Sequence, residues 1–129
     1  MTAAALLAKA EQAAGSARIL LERGDADGAC NRAYYAMFDA ARAALLAGGH
    51  DTGRTHKGIL NAFGALLIKN DRLPREMGRI LKRAEAFRYV ADYGDAAVER
   101  NEAEAMVREA EHFVAALRSF LAPPAATAS

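Results

Sequence analysis

Apolar residues recur along this chain at the three- and four-residue spacing of α-helices, not at the alternate-residue spacing of strands. Leu6, Ala10, Ala13, Ala17 and Leu20 fall on one helical face, and the pattern stops at Gly24, which predicts a first helix. Asp25 is placed to cap a second, in which Tyr34, Phe38, Ala41 and Leu45 share a face before Gly48 and Gly49 end it. The two should pack as an antiparallel hairpin. After a loop containing His50 to Arg54, Thr55 can cap a short third helix whose stripe is His56, Leu60, Phe63 and Leu67. Pro74 suits the first position of a fourth helix, with Glu76 in its first turn, Met77, Leu81, Ala84, Phe87 and Ala91 facing inward, and Gly94 at its end. Asp95 is expected to start a fifth, in which Met106, Ala110, Phe113, Leu117 and Phe120 point one way. Residues 1–121 thus predict a single all-α domain, an up-and-down bundle of four to five antiparallel helices. The tail 122–129, APPAATAS, has little to bury and is expected to be disordered.

Composition strengthens the helical reading. Hydrophobic residues make up 53% of the 129, mostly alanine and leucine, with few β-branched residues and no tryptophan. The single cysteine, Cys30, rules out an internal disulfide, and three scattered histidines show no zinc-ligand spacing, so neither metal nor cofactor is expected. No stretch approaches the ~20 apolar residues of a membrane span, and the N-terminus lacks the basic start and apolar run of a leader. A soluble, cytoplasmic protein is the expectation. The stretch LLERGDADGACNRAYYAMFDAA resembles one tetratricopeptide unit, but no second copy follows about 34 residues on, which favours a closed bundle over an array.

The net charge of +1 conceals an asymmetry. Arg54 to Arg88 holds nine Lys or Arg against three acids, and Asp92 to Glu111 holds seven acids against two arginines. Either the basic middle presents a polyanion-binding face, or neighbouring helices pair their charges.

Two stretches set arginine beside tyrosine inside otherwise apolar helices: NRAYYAMF from Asn31 and FRYVADYGD from Phe87. A guanidinium that keeps its charge, next to phenols that stack, donate or accept, suits phosphate and base contacts. On the second helix Arg32, Tyr35, Asp39 and Arg42 form a polar edge beside the apolar stripe. There Arg32 could clamp a phosphate while a tyrosine stacks on a base, or Asp39 could pair with Arg42 while Tyr35 covers the core's rim. On the fourth helix Arg88 is four residues from Asp92, within reach of an intrahelical ion pair. Tyr93, just ahead of Gly94, is placed to face a groove. His56 lies in register with Leu60 and Phe63, as a histidine at the core's edge or, near a helix N-terminus that favours its neutral form, as a base.

Taken in order, NRAYYAMFDAARAALL, THKGILNAFG and FRYVADYGD resemble the HEPN domain family of prokaryotic helical proteins, over about Arg18 to Phe120. The resemblance implies a four- or five-helix bundle, a homodimer, and a minimal nucleotidyltransferase partner in a two-component, toxin-antitoxin-like pair. Catalytically active members carry arginine, four to six residues, then histidine, and cut RNA without metal at a cleft between subunits. In such a site arginine stabilises the charged transition state while histidine moves the proton of the attacking 2′-hydroxyl. No arginine here has a histidine at that spacing; the nearest equivalent is Arg88, four residues, Tyr93, with a phenol of pKa about 10 in the imidazole's place. The expectation is a non-catalytic or weakly catalytic subunit that binds nucleotide or RNA through Arg32, Tyr35, Arg88, Asp92 and Tyr93. Two alternatives stand beside it: a metal-independent endoribonuclease using Arg88 with His56 or a tuned tyrosine such as Tyr93, and a dimerisation module in which these side chains staple an interface.

Overall fold

The computed structural model describes residues 1–51 and 53–122. Five α-helices follow in order: α1 (Ala3–Glu22), α2 (Ala26–Ala47), α3 (His56–Phe63), α4 (Arg75–Tyr93) and α5 (Arg100–Leu121). A π-helical turn, Gly64–Ile68, continues α3, and no strand occurs among the described residues. Side-chain partners fix the directions. Arg18 meets Glu111 and Glu11 meets Arg118, so α1 and α5 run antiparallel. Asn31 meets Asp92 and Tyr34 meets Arg88, so α2 and α4 do as well. Three residues reverse the chain between α1 and α2, with Gly24 at φ +87°, a left-handed backbone that favours glycine. The result is the expected up-and-down bundle, with α3 and its π-turn inserted between α2 and α4.

The central element is α2, which contacts each of the other four helices. It is buried over most of its circumference, and it can be because its sides are alanine: Ala29, Ala33, Ala36, Ala40, Ala41, Ala43 and Ala44 let neighbouring backbones approach closely. Larger side chains fill the layers above and below, among them Tyr34, Met37, Phe63, Met106 and Phe113. Cys30 lies in this core, and burial pushes its thiol up to about 11, which leaves an inert thiol.

Local signals account for most helix ends. Asp25 accepts from the Gly28 N–H at 2.8 Å, and Thr55 accepts from the Gly58 N–H at 3.1 Å. Three expectations need correction. Pro74 is the N-cap of α4, not its first residue, since its ψ of 146° is extended. α5 begins at Arg100, not at Asp95, because Glu99 and Glu102 form a reciprocal capping box. The segment between is instead tied back to the α1–α2 turn: the Val98 N–H donates to Asp27 at 2.8 Å, and Arg100 donates to the Leu21 carbonyl at 3.0 Å. On α3 the buried face is Ile59, Phe63 and Leu67, with Leu60 at its edge. The expected end of α4 at Gly94 holds for a steric reason: a Cβ there would stand 2.5 Å from the Val90 carbonyl oxygen. Of the tail, residues 123–129 lie outside the described residues.

Candidate functional site

Where α2 crosses α4 and the start of α3, four rings cluster: Tyr34, Tyr35 and Phe38 from α2, and His56 from α3. Their helix spacing places the first three on adjacent faces of one turn. The imidazole sits 4.7 Å from the Phe38 ring, 5.5 Å from Tyr34 and 5.6 Å from Tyr35, centroid to centroid. The Thr55 cap fixes the backbone that carries His56. Tyr34 is fully buried, and its hydroxyl lies 3.2 Å from His56 Nδ1. Burial first, and the negative Glu85 second, push the Tyr34 phenol far above its ordinary pKa, so it keeps its proton. The phenol and Nδ1 share one hydrogen bond, whose donor is set by the imidazole tautomer.

Over the Tyr34 ring lies Arg88. Its guanidinium carbon is 5.1 Å from the Tyr34 ring centroid, and Nη1 donates to Asp92 at 3.3 Å. Asp92 also accepts from the Asn31 side-chain amide at 3.3 and 3.4 Å. The Arg88 side chain is only 14% exposed, and its Nε is buried with no hydrogen-bond partner among the described residues. Burial opposes the charge, but the Asp92 hydrogen bond, the neighbouring phenols and the Asp92 charge outweigh it and raise the pKa. The cation is thus held in place by a ring face on one side and a bonded carboxylate on the other.

Arg32 stands at the rim, 5.8 Å from the Tyr35 ring centroid. It also lines a groove of about 500 Å³ between α1 and α2, with Lys9, Gln12, Ser16 and Ile19. A contiguous run therefore links Arg32, Tyr35, His56, Tyr34, Arg88, Asp92 and Asn31. It joins two cations to an imidazole through phenols packed edge to face, a set that can hold a phosphate, stack a base and relay a proton.

Five of the six residues singled out in the sequence meet here. Tyr93 does not: it is 67% exposed and packs on Tyr89, centroids 5.0 Å apart, away from the Arg88 guanidinium's partners. The Arg88–Asp92 pair forms as its spacing suggests. Asp39 and Arg42 form no ion pair among the described residues, so this half of the polar edge is not a salt bridge. Two members were not anticipated as site residues. Tyr34 reads as core from its stripe, and it is core, yet its ring carries Arg88 and its hydroxyl meets His56. Asn31 precedes it by three residues on the same side of α2, and that spacing was the available signal.

Asp39 also carries an electrostatic cost. Burial raises its pKa, against the lowering effect of Lys9, Arg42 and Arg32. An acid with a folded pKa above its unfolded value binds its proton more readily when folded. Stability from this group is therefore full below the unfolded pKa and falls as pH rises through the folded one. Asp39→Asn should stabilise the protein at pH 7 and have little effect near pH ~3, measurable by denaturant unfolding at the two pH values.

These features define a class: an all-α bundle whose central helix carries a half-buried arginine-tyrosine-histidine centre against its fourth helix. The HEPN domain family matches residues 3–120, and the chain belongs to that family. It is 37% identical to a protein of Gloeobacter violaceus described as a UPF0332 protein, covering 91% of this chain and 94% of the relative. It is 33% identical to a protein of Methanocaldococcus jannaschii named "Putative toxin", covering 91% and 87%. A UPF0332 protein of Thermotoga maritima is 31% identical over 88% and 86%. No helix among the described residues is long and apolar enough to cross a membrane, and no group of three or more metal-ligating side chains occurs among them.

Proposed function

We propose that this chain is the HEPN subunit of a toxin-antitoxin-like pair, non-catalytic or weakly catalytic, which binds nucleotide or RNA at the Arg88 centre and is regulated by a minimal nucleotidyltransferase. The observation that carries the binding role is the arrangement of Arg88. Its charge is held on the Tyr34 ring face and against Asp92, with His56 and Tyr35 on the neighbouring faces. The toxin-like role is supported by two M. jannaschii relatives that carry the name "Putative toxin", the second 30% identical over 90% of this chain. A homodimer fits the surface: three of the five exposed large apolar side chains, Tyr89, Val90 and Tyr93, lie in the last turns of α4, beside Arg88.

Expression in a bacterial host with and without the proposed minimal nucleotidyltransferase partner tests this reading. The expected result is slowed growth that the partner relieves, with both chains copurifying. Unaffected growth together with no copurification would contradict it.

A metal-independent endoribonuclease is the second reading, favoured by one contact. Tyr34 engages His56 Nδ1, so the other ring nitrogen is left to exchange a proton within the same cluster as Arg88. RNA cleavage in the presence of chelator, lost in both His56→Gln and Arg88→Ala, would establish it.

A further inference from the structure

Much of the basic middle segment takes no part in the Arg88 centre and forms a groove of its own. The π-turn Gly64–Ile68, the loop behind it and the first half of α4 enclose about 420 Å³, lined by Lys69, Arg75, Arg79 and Lys82, with Asp71 as the one acid on the wall. Arg75, Arg79 and Lys82 are spaced i, i+4, i+7 and so share a face of α4 over about 10 Å of helix axis. Arg79 is paired with Glu76 at 3.1 Å. Lys69, Arg75 and Lys82 make no ion pair among the described residues. Glycine keeps the groove open: a Cβ on Gly78 would stand 3.3 Å from Ile68 Cγ1, and one on Gly64 would meet nothing within 4 Å.

Four cations against one acid on the wall, three of the four without an ion-pair partner among the described residues, select a ligand that is itself a row of negative charges. A stacked nucleic-acid strand rises ~3.4 Å per phosphate, so the length that Arg75 to Lys82 covers matches about three phosphates of a strand kept in stacked form. The groove has no aromatic lining on which a base could stack, so contacts there would be to the backbone alone. An anionic membrane surface fits poorly. The exposed large apolar residues are Met1, Ile19, Tyr89, Val90 and Tyr93, none of which borders the groove to insert into lipid. An acidic protein would lack the apolar anchors on which such interfaces rest, since Ile68 is the one large apolar side chain in the lining.

We infer that this groove binds the phosphodiester backbone of a single nucleic-acid strand, independently of sequence. The site shares no lining residue with the Arg88 centre: along α4, Arg88 lies about 20 Å from Arg75 and about 9 Å from Lys82. The inference rests on the groove's own charge and shape, not on the function proposed for Arg88.

The test is a fluorescence-anisotropy titration of mixed-sequence single-stranded RNA and DNA oligonucleotides of about 20 nucleotides, at salt between about 50 and 200 mM. The protein carries Arg88→Ala throughout, so the outcome does not depend on that centre. The expected result is binding to RNA and DNA alike, with log K falling against log salt at a slope of about −2 to −3, the value for three to four phosphates on a single strand. Adding Arg75→Glu and Lys82→Glu should weaken binding more than about tenfold and flatten the slope by about 1.4, two phosphates' worth. Gly64→Glu, which sets a carboxylate in open space without touching the core, should weaken it in the same direction. Binding unchanged by these substitutions, in proteins whose circular dichroism matches the parent, overturns the proposal. So does displacement by inorganic polyphosphate at lower phosphate concentration than by either oligonucleotide, which would assign the groove to a free phosphate chain.

Discussion

Tyr34→Ala should lower the unfolding free energy by about 3–5 kcal/mol, the range for deleting a fully buried aromatic ring. Tyr34 is one of the largest fully buried side chains, and α2, which carries it, has mostly alanine neighbours that cannot move in to fill the space. The same substitution removes the surface on which Arg88 rests and the hydroxyl that orients His56. Tyr34→Phe separates the two roles. It keeps the ring and the Arg88 contact but leaves His56 Nδ1 without its hydroxyl partner, for a cost of about 1 kcal/mol. Urea unfolding of the three proteins checks the ranking. Equal stability of Tyr34→Ala and wild type would mean that this ring is not the packing centre described here.

Phe113→Ala is expected to cost a similar amount, about 3–5 kcal/mol, from the opposite side of the core. Phe113 is fully buried on α5 and stacks on Phe63 of α3, centroids 5.8 Å apart. No member of the Arg32–Asn31 run touches this pair through a ring or ion contact. The folded fraction of Phe113→Ala should therefore bind ligand as wild type does, whereas the folded fraction of Tyr34→Ala should not. Together the two variants distinguish loss of stability from loss of the site. Binding measured below each variant's unfolding midpoint temperature provides the readout.

The helices were legible because each end carries its own chemistry. Asp25 and Thr55 each precede a run of helix formers and accept the N–H three residues on, a relation contained within four residues of sequence. The start of α5 was not legible in the same way. Asp92, Asp95, Glu99 and Glu102 offer several competing caps, and the choice of Glu99 depends on Val98 and Arg100 being held by Asp27 and Leu21, far away in sequence. On α3 the expected Phe63 and Leu67 are buried, and Ile59, four residues before Phe63, takes the place expected of Leu60, a choice between adjacent apolar residues that periodicity does not make.

The site was legible to the same extent. Arg32, Tyr35, His56, Arg88 and Asp92 stood out as charged, phenolic or titratable groups in apolar helices, and the fold brings them together. Tyr93 shared their chemistry but not their direction, since it lies five residues from Arg88, beyond the spacing that puts helical side chains on one face. Tyr34 looked like any other core position. Its second role exists only because α4 runs antiparallel to α2 and sets Arg88 over its ring, and local periodicity holds no record of that pairing.

The central claim is that Arg88 is held on Tyr34 to bind a ligand and is not a packing staple. It is tested most directly by the dissociation constant of a short fluorescent oligoribonucleotide, measured side by side for protein carrying Arg75→Glu and Lys82→Glu, which disable the basic groove, and for the same protein with Arg88→Ala added, at about 150 mM salt, where exposed charges are largely screened. Losing a charge-assisted phosphate contact predicts binding weaker by at least about tenfold, or about 1.4 kcal/mol, with the circular dichroism spectrum unchanged. Identical affinity in the two proteins, or no affinity in either, would contradict the account and leave Arg88 as part of the bundle's internal support.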